Sequence, residues 1–327
     1  MNLNIVAVGE VLWDLFQEGP LLGGAPANFA YHAHALGAQV QLITRVGSDD
    51  LGREILRRFR KMGLPDATVQ VDETAPTGTV EVQLSGNGLA HFTIQENVAW
   101  DFIALTDEAL VAARRADAIC FGSLAQRSET SRDTIRRLVE AAPADALKVF
   151  DINLRQKFYS REVIEESLKW ANALKLNDDE LPTLAAMFNF GGAAEDQGNS
   201  GAGTRAGAPA PHNLKLQMER LAQAFDLRLL ALTRGPKSSL LCQVSGDQRR
   251  WSDCGPRPLK VADTVGAGDS FTAALVLGLL LKMDLDEINS IANDVAGYVC
   301  SQAGGTPELP AEFARRFERE AGMMRRA

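Results

Sequence analysis

Cysteine is scarce and scattered. Cys120, Cys242, Cys254 and Cys300 are the only four, and no two stand in a CxxC pair. A disulfide framework is therefore not what organises this chain, and the thiols read as reduced and structural. Positive charge is in deficit: 34 lysines and arginines stand against 42 aspartates and glutamates, a net charge of −8. That balance argues against nucleic acid or an anionic membrane as main partner, although a local pocket can still be positive. The opening MNLNIVAVGEVLW lacks a basic n-region and meets Glu10 too soon for a signal peptide. Long apolar runs are missing too, since the longest, AALVLGLLL at 273–281, stops at Lys282, short of the ~20 residues of a spanning helix. The expectation is a soluble, cytoplasmic protein.

What is present is an alternation of two periods. IVAVGEVL (5–12) reads as a short buried strand ending near Gly9, and a helix follows with Pro26 near its start and Gly37 at its end. QLITRVG (41–47) reads as strand and DLGREILRRFRKMG (50–63) as amphipathic helix. Further strands are expected at 118–123, 148–154, 174–177 and 228–235, with a β pair in SSLLCQV and QRRWSDC. Helices are expected near 128–141 and 161–172, from Asp178, and at 268–282, 285–302 and 310–325. This rhythm predicts an α/β domain of 1–327 around a mainly parallel sheet with helices on both faces.

Two stretches depart from it. In 77–103, the alternating runs TVEVQL and AHFTIQ are joined by Ser85-Gly86-Asn87-Gly88, which predicts a hairpin and hence a small β appendage. In 191–211, twelve of twenty-one residues are Gly or Ala, too few large apolar groups to offset chain entropy, so a flexible surface insertion is expected.

The chemistry concentrates at DTVGAGDSF (263–271). Gly266-Ala267-Gly268 leads into an apolar helix, whose first amides lack intrahelical partners and carry the positive end of the dipole. Small residues there let the N–H groups approach a phosphate. Asp269 would then stand beside the bound anion and repel it, which makes sense if it takes a proton from an attacking hydroxyl. The plainer alternative is a carboxylate that merely suits a helix N-terminus. No GK[ST] follows, so this is not a Walker A loop, and Phe271 occupies the place of the third glycine of GxGxxG.

DTVGAGD (263–269) resembles the C-terminal signature of the ribokinase-like (PfkB) carbohydrate kinases, and GGAPANFA (23–30) resembles their N-terminal one. GEVLWD (9–14), DINLR (151–155), NDDE (177–180) and TRG (233–235) follow the same family order along nearly the whole chain, with wording most similar to bacterial fructokinases. The resemblance implies a ribokinase-like fold with a β lid drawn from about 12–22 and 77–103, and an ATP-dependent transfer to a sugar hydroxyl, most naturally fructose to fructose 6-phosphate. It makes Asp269 the base and Gly266, Ala267 and Gly268 the anion hole. Asp14, Gly24 and Asn28 would meet sugar hydroxyls, and Arg155 the transferring phosphate or a substrate oxygen. Asn177 would serve the nucleotide, with Glu180 organising Mg²⁺ through water. Thr233, Gly235 and Asn293 would lie by the nucleotide. A monovalent-cation site, K⁺ in the family, would use Asp263 and Val265, although Glu308 stands where some relatives have serine. A homodimer through the lid is implied by resemblance alone.

Other features take the plain reading. His32 and His34 are two apart, so on a helix they face different directions and make a poor metal pair. Trp100 and Phe102 read as lid or core packing, and RRFRK (57–61) as a solvated helix face. Two rival functions stay open: a kinase for 2-keto-3-deoxygluconate, ribose or tagatose, or a non-catalytic sugar or nucleotide sensor on the same fold.

Overall fold

The computed structural model describes residues 1–16, 19–84, 90–190, 211–237 and 239–324. Strand β1 (Asn4–Val8) opens the chain, and β2 (Leu12–Phe16) and β3 (Gly19–Gly23) follow before helix α1 (Ala25–Ala35). Next come β4 (Gln39–Gly47), α2 (Asp50–Lys61), β5 (Val69–Asp72), β6 (Gly78–Leu84) and β7 (Ala90–Ile94). The middle alternates as α3 (Asp107–Arg114), β8 (Ala118–Phe121), α4 (Glu129–Ala141), β9 (Leu147–Asp151), α5 (Arg161–Trp170), β10 (Ala173–Asn177) and α6 (Glu180–Met187). The last part holds α7 (Pro211–Phe225), β11 (Leu229–Thr233), β12 (Ser239–Ser245), β13 (Gln248–Cys254), α8 (Ala267–Leu280), α9 (Leu285–Cys300) and α10 (Ala311–Met324).

Nine strands form the main sheet in the order β13-β12-β11-β10-β9-β8-β1-β4-β5. Its pairs are parallel from β11 through β5, and only β12 runs against its neighbours. The central strands are buried on both faces, which is why they read as continuous apolar runs. In β1, Val6 and Val8 join one hydrophobic core with α3 to α7, while Ile5 and Ala7 join the other with α1, α2 and α8 to α10. The doubly wound α/β architecture is the one expected from the sequence.

The first strand ends just before Gly9, near the expected end. The φ of Gly9 is +145°, and a Cβ there would lie 2.7 Å from Pro26 Cγ. The chain turns out of the main sheet at that point and starts a second one, β3-β2-β6-β7. The hairpin of β6 and β7 is antiparallel, and β2 joins it in parallel, Leu12 opposite Gly78; the expected turn at 85–88 lies outside the described residues, as does most of the expected 191–211 insertion. A 3₁₀ turn at Ala99–Phe102 returns the chain to the main core, where Trp100 is fully buried while Phe102 stays 37% exposed.

Three elements went unanticipated. Strand β5 is a four-residue edge strand, and α3 has eight residues, both too short for a clear period. Helix α7 follows the Gly/Ala-rich stretch directly, with Leu214, Met218 and Leu221 buried at helical spacing.

Candidate active site

The carboxyl ends of β1, β9, β10 and β11 point to one edge of the main sheet, where ligands of open α/β sheets bind. Helix α8 begins over that edge. Its N-cap is Gly266, left-handed at φ +76°, and its first turn carries Asp269. Asp269 is buried and accepts a hydrogen bond from Asn28 Nδ2 at 2.8 Å. Burial, reinforced by the Asp151 charge, raises its pKa to about 6, against the pull of Lys175, Asn28 and Arg155.

The glycines ahead of it are required by close approach. A Cβ on Gly266 would lie 2.3 Å from Gly305 O, and one on Gly268 would lie 2.9 Å from Lys175 Nζ. Asp263 fastens the turn: its Oδ1 accepts from Val265 N and its Oδ2 from Gly304 N, both at 3.0 Å.

Beneath the turn lies a buried ion pair that the sequence did not single out. Lys175, on β10, donates to Asp151 Oδ1 at the end of β9 at 3.0 Å, and Thr272 of α8 donates to Asp151 Oδ2 at 2.8 Å. Burial works against the Lys175 ammonium, but Asp151, Glu180 and Asp269 outweigh it and raise its pKa. The N-D-D-E run sits alongside. Asn177 Oδ1 accepts from the amides of Asp179 and Glu180, opening α6, while the Glu180 carboxylate accepts from Leu154 N and Asn177 N. Burial raises the Glu180 pKa and Lys175 opposes that.

On the other side of Asp269 lie the residues expected to meet a sugar. Gly24 caps α1 at φ +104°, and a Cβ there would sit 2.6 Å from Glu10 O. Asn28, one turn on, is buried, and its Oδ1 has no partner. Asp14 leans over β3, with its Oδ2 2.4 Å from where a Gly23 side chain would begin; burial raises its pKa to about 6, with Arg155 opposing. Glu10, absent from the expected set, is 4% exposed and leaves Oε2 without a partner. Burial raises its pKa to about 7, opposed by its own amide and by Arg155. Arg155 is thus the cation common to Glu10, Asp14 and Asp269, although its own side chain is exposed.

The loop that carries Arg155 is fastened to the second sheet. Gln156 Nε2 donates to Phe92 O at 2.5 Å, and Lys157 pairs with Glu96 at 3.1 Å. On the far side, Thr233 ends β11 opposite Ser239, and Gly235 turns at φ +54°. Asn293 of α9 donates to Ser239 Oγ, so these three expected residues meet at one corner of the sheet edge. The side-chain amide of Asn293 also bonds Asn289 O at 2.7 Å, a packing role that accounts for its donors.

Glu10, Lys175 and Asp151 each had a visible signal, a charge inside or ending an apolar strand. Gly305 and His32, which contact each other at 2.9 Å, had none beyond a glycine pair and a histidine on a helix. Among the described residues no group of three or more His, Cys, Asp or Glu is placed to hold a metal ion, and no helix is long and apolar enough to cross a membrane.

Comparison with known proteins identifies the family and the fold. The family model of the pfkB family carbohydrate kinases matches residues 16–312. An uncharacterized sugar kinase of Pyrococcus horikoshii is 30% identical over 326 residues, 93% of either chain; its crystal structure superposes with a TM-score of 0.76, covering 97% of this chain and 98% of that one. A fructokinase of Klebsiella pneumoniae is 30% identical over 308 residues, 90% of this chain and 91% of its own. The structure of a fructokinase of Xylella fastidiosa with bound ATP shares the fold at a TM-score of 0.77 and 20% identity, with 97% and 98% of the chains covered. The chain belongs to the PfkB family of carbohydrate kinases and is an ATP-dependent sugar kinase.

Proposed function

We propose that this kinase phosphorylates a neutral sugar, fructose before others, with Asp269 as base. The observation that carries the reading is the placement of a buried, Asn28-bonded carboxylate in the first turn of α8 beside Gly266, Ala267 and Gly268. Asp269 takes the proton of the acceptor hydroxyl as its oxygen bonds the γ-phosphorus of ATP. The bond from that phosphorus to the bridging oxygen breaks, and ADP leaves. The amides of 266–268, at the positive end of α8, stabilise charge on the transferring group, and the Lys175 ammonium beneath Gly268 adds to that field.

Three carboxyl groups, Glu10, Asp14 and Asp269, share Arg155 on the sugar side. A further anionic carboxylate would be costly there, which disfavours an acidic sugar such as 2-keto-3-deoxygluconate. Hydroxyls suit it, because a site built to pair them rejects analogues that lack them. Two curated relatives at 27–30% identity are named fructokinases, from Salmonella typhimurium and Klebsiella pneumoniae. Gly24 and Asn28 would hold the sugar, with Asp14 reaching a hydroxyl.

Asn177, Thr233, Gly235 and Asn293 border the proposed nucleotide side. Both Glu180 oxygens already accept backbone amides, which suits holding the waters of Mg²⁺ that arrives on ATP rather than binding the ion directly; bound there, Mg²⁺ would screen phosphate charge. Asp263 and Val265 would offer carbonyls to K⁺ at the turn tied to Gly304. The second sheet, β3-β2-β6-β7, would act as a lid that excludes water, and its exposed Leu21 and Phe92 would serve a homodimer.

The test is ADP formation from Mg·ATP across fructose, 2-keto-3-deoxygluconate, ribose and tagatose. Preference for fructose is expected. Preference for the acidic sugar would overturn the substrate argument and leave the chemistry standing, and silence across neutral and acidic sugars would favour a sensor.

A further inference from the structure

We propose that His32 is a positioning residue for the anion hole: its Nε2–H holds the carbonyl of Gly305, and the Gly305 peptide so held sets Gly266 at the head of α8. The inference rests on the reading of Gly266 to Gly268 as the anion hole.

His32 lies on α1 one turn beyond Asn28, on the same face, and is fully buried. Its Nε2 is 2.9 Å from Gly305 O, and its Nδ1 has no partner. Gly305 O can only accept, so Nε2 carries the proton. Burial also pushes the imidazole pKa down to about 4 and keeps the ring neutral. A ring buried with one nitrogen unpartnered is a poor filler, since an apolar side chain of similar size would bring no unpartnered nitrogen into the core. The polar ring makes sense through the one bond it makes.

That bond acts on a tightly constrained peptide. A Cβ on Gly305 would lie 3.0 Å from Asn28 Nδ2 and 3.1 Å from Val265 Cγ1. The Gly305 carbonyl lies 2.3 Å from where a Gly266 side chain would begin. One carbonyl therefore faces both His32 and the left-handed residue that starts the anion hole. The segment is held on each side as well: Gly304 N donates to Asp263 at 3.0 Å, and Tyr31 Oη donates to Pro307 O at 3.1 Å. Without a donor at position 32, the buried Gly305 carbonyl would have to turn to find one, and Gly266 would lose the surface that fixes it. The 266–268 amides would then point less well at a transferring phosphoryl group, an error that reads in turnover more than in binding.

The experiment compares His32→Leu, His32→Gln and Asp269→Asn. Gln carries its N–H the same number of bonds from Cβ as Nε2. Expected are a kcat lowered about tenfold or more in His32→Leu with both KM values within about threefold, and recovery of most of that loss in His32→Gln. A folded His32→Leu with wild-type kcat, or a Gln variant no better than Leu, overturns the proposal while an inactive Asp269→Asn leaves the site reading intact. An active Asp269→Asn overturns both. Independently of variant folding, ¹⁵N NMR of the wild-type histidines is expected to show one neutral ring protonated at Nε2; a ring protonated at Nδ1 instead overturns the proposal.

Discussion

The side-chain amide of Asn28 donates to Oδ2 of Asp269 at 2.8 Å, joining residues 241 positions apart in the chain. The bond fixes which carboxylate oxygen is engaged and leaves Oδ1, without a partner among the described residues, for the hydroxyl proton that the proposed base would take. It also favours the charged form of Asp269, opposing the effect of burial. The proposed sugar side and the proposed phosphate side of the site meet at this bond.

Asp269 must be a carboxylate to accept a proton, and its pKa is raised to about 6. Activity should therefore fall as pH drops through about 6. Asn28→Leu removes a contact that lowers this pKa, so the acid limb of the kcat/KM profile should move to higher pH. Asp269→Asn should cost roughly 10²–10⁴-fold in kcat without lowering Tm. The pH profiles of the wild type and Asn28→Leu, with the turnover and thermal melts of Asp269→Asn, check all three.

Gly266→Ala should lower both turnover and stability, the latter by about 1–3 kcal/mol, because its left-handed φ and the Gly305 carbonyl both exclude a side chain. Gly268→Ala is expected to be milder, since its φ is ordinary helix and the atom it meets, Lys175 Nζ at 2.9 Å, ends a flexible side chain. Equal losses in the two variants, measured by denaturant titration, would contradict this geometry.

Glu10 is buried with an unpartnered oxygen, and its pKa is raised from 4.5 to about 7. An acid raised on folding favours the native state while protonated, and that contribution is lost as pH rises through about 7. Glu10→Gln should thus stabilise the protein at pH 8, by on the order of 3 kcal/mol at most, and much less at pH 5. Melting temperatures at the two pH values give the answer.

Lys175→Met should leave Asp151 buried without its counter-charge, at a cost of about 3–5 kcal/mol. Adding Asp151→Asn should recover part of that loss. A double variant as unstable as the sum of the singles would mean the pair is not coupled, contrary to its 3.0 Å contact.

The head of α8 was legible because small residues, an acid and an apolar run stand together in DTVGAGDSF, and the sugar side through GGAPANFA. Local pattern could not show where long-range partners fall. Glu10 follows a β-branched run that ends near Gly9, with nothing local to show that the turn there carries the acid inward. Lys175 looks like a stray charge in ALKLN until β9 brings Asp151 beside it. Gly304-Gly305 reads as a turn, and its packing against Gly266 and His32 depends on how α1, α8 and the 301–306 segment come together. Helix α7 was hidden by the Gly/Ala-rich stretch before it.

Strand β1 is an interior strand of the main sheet, between β4 and β8, so it waits for β8 before both its edges are paired. Helix α1 waits longer, because the face that packs on α8 is covered only when residues past 266 exist. A chain interrupted before that point would carry Gly24 and Asn28 but not Asp269, with apolar surface open on α1. Incomplete synthesis would yield a sticky, inactive product for quality control to remove rather than a weak kinase.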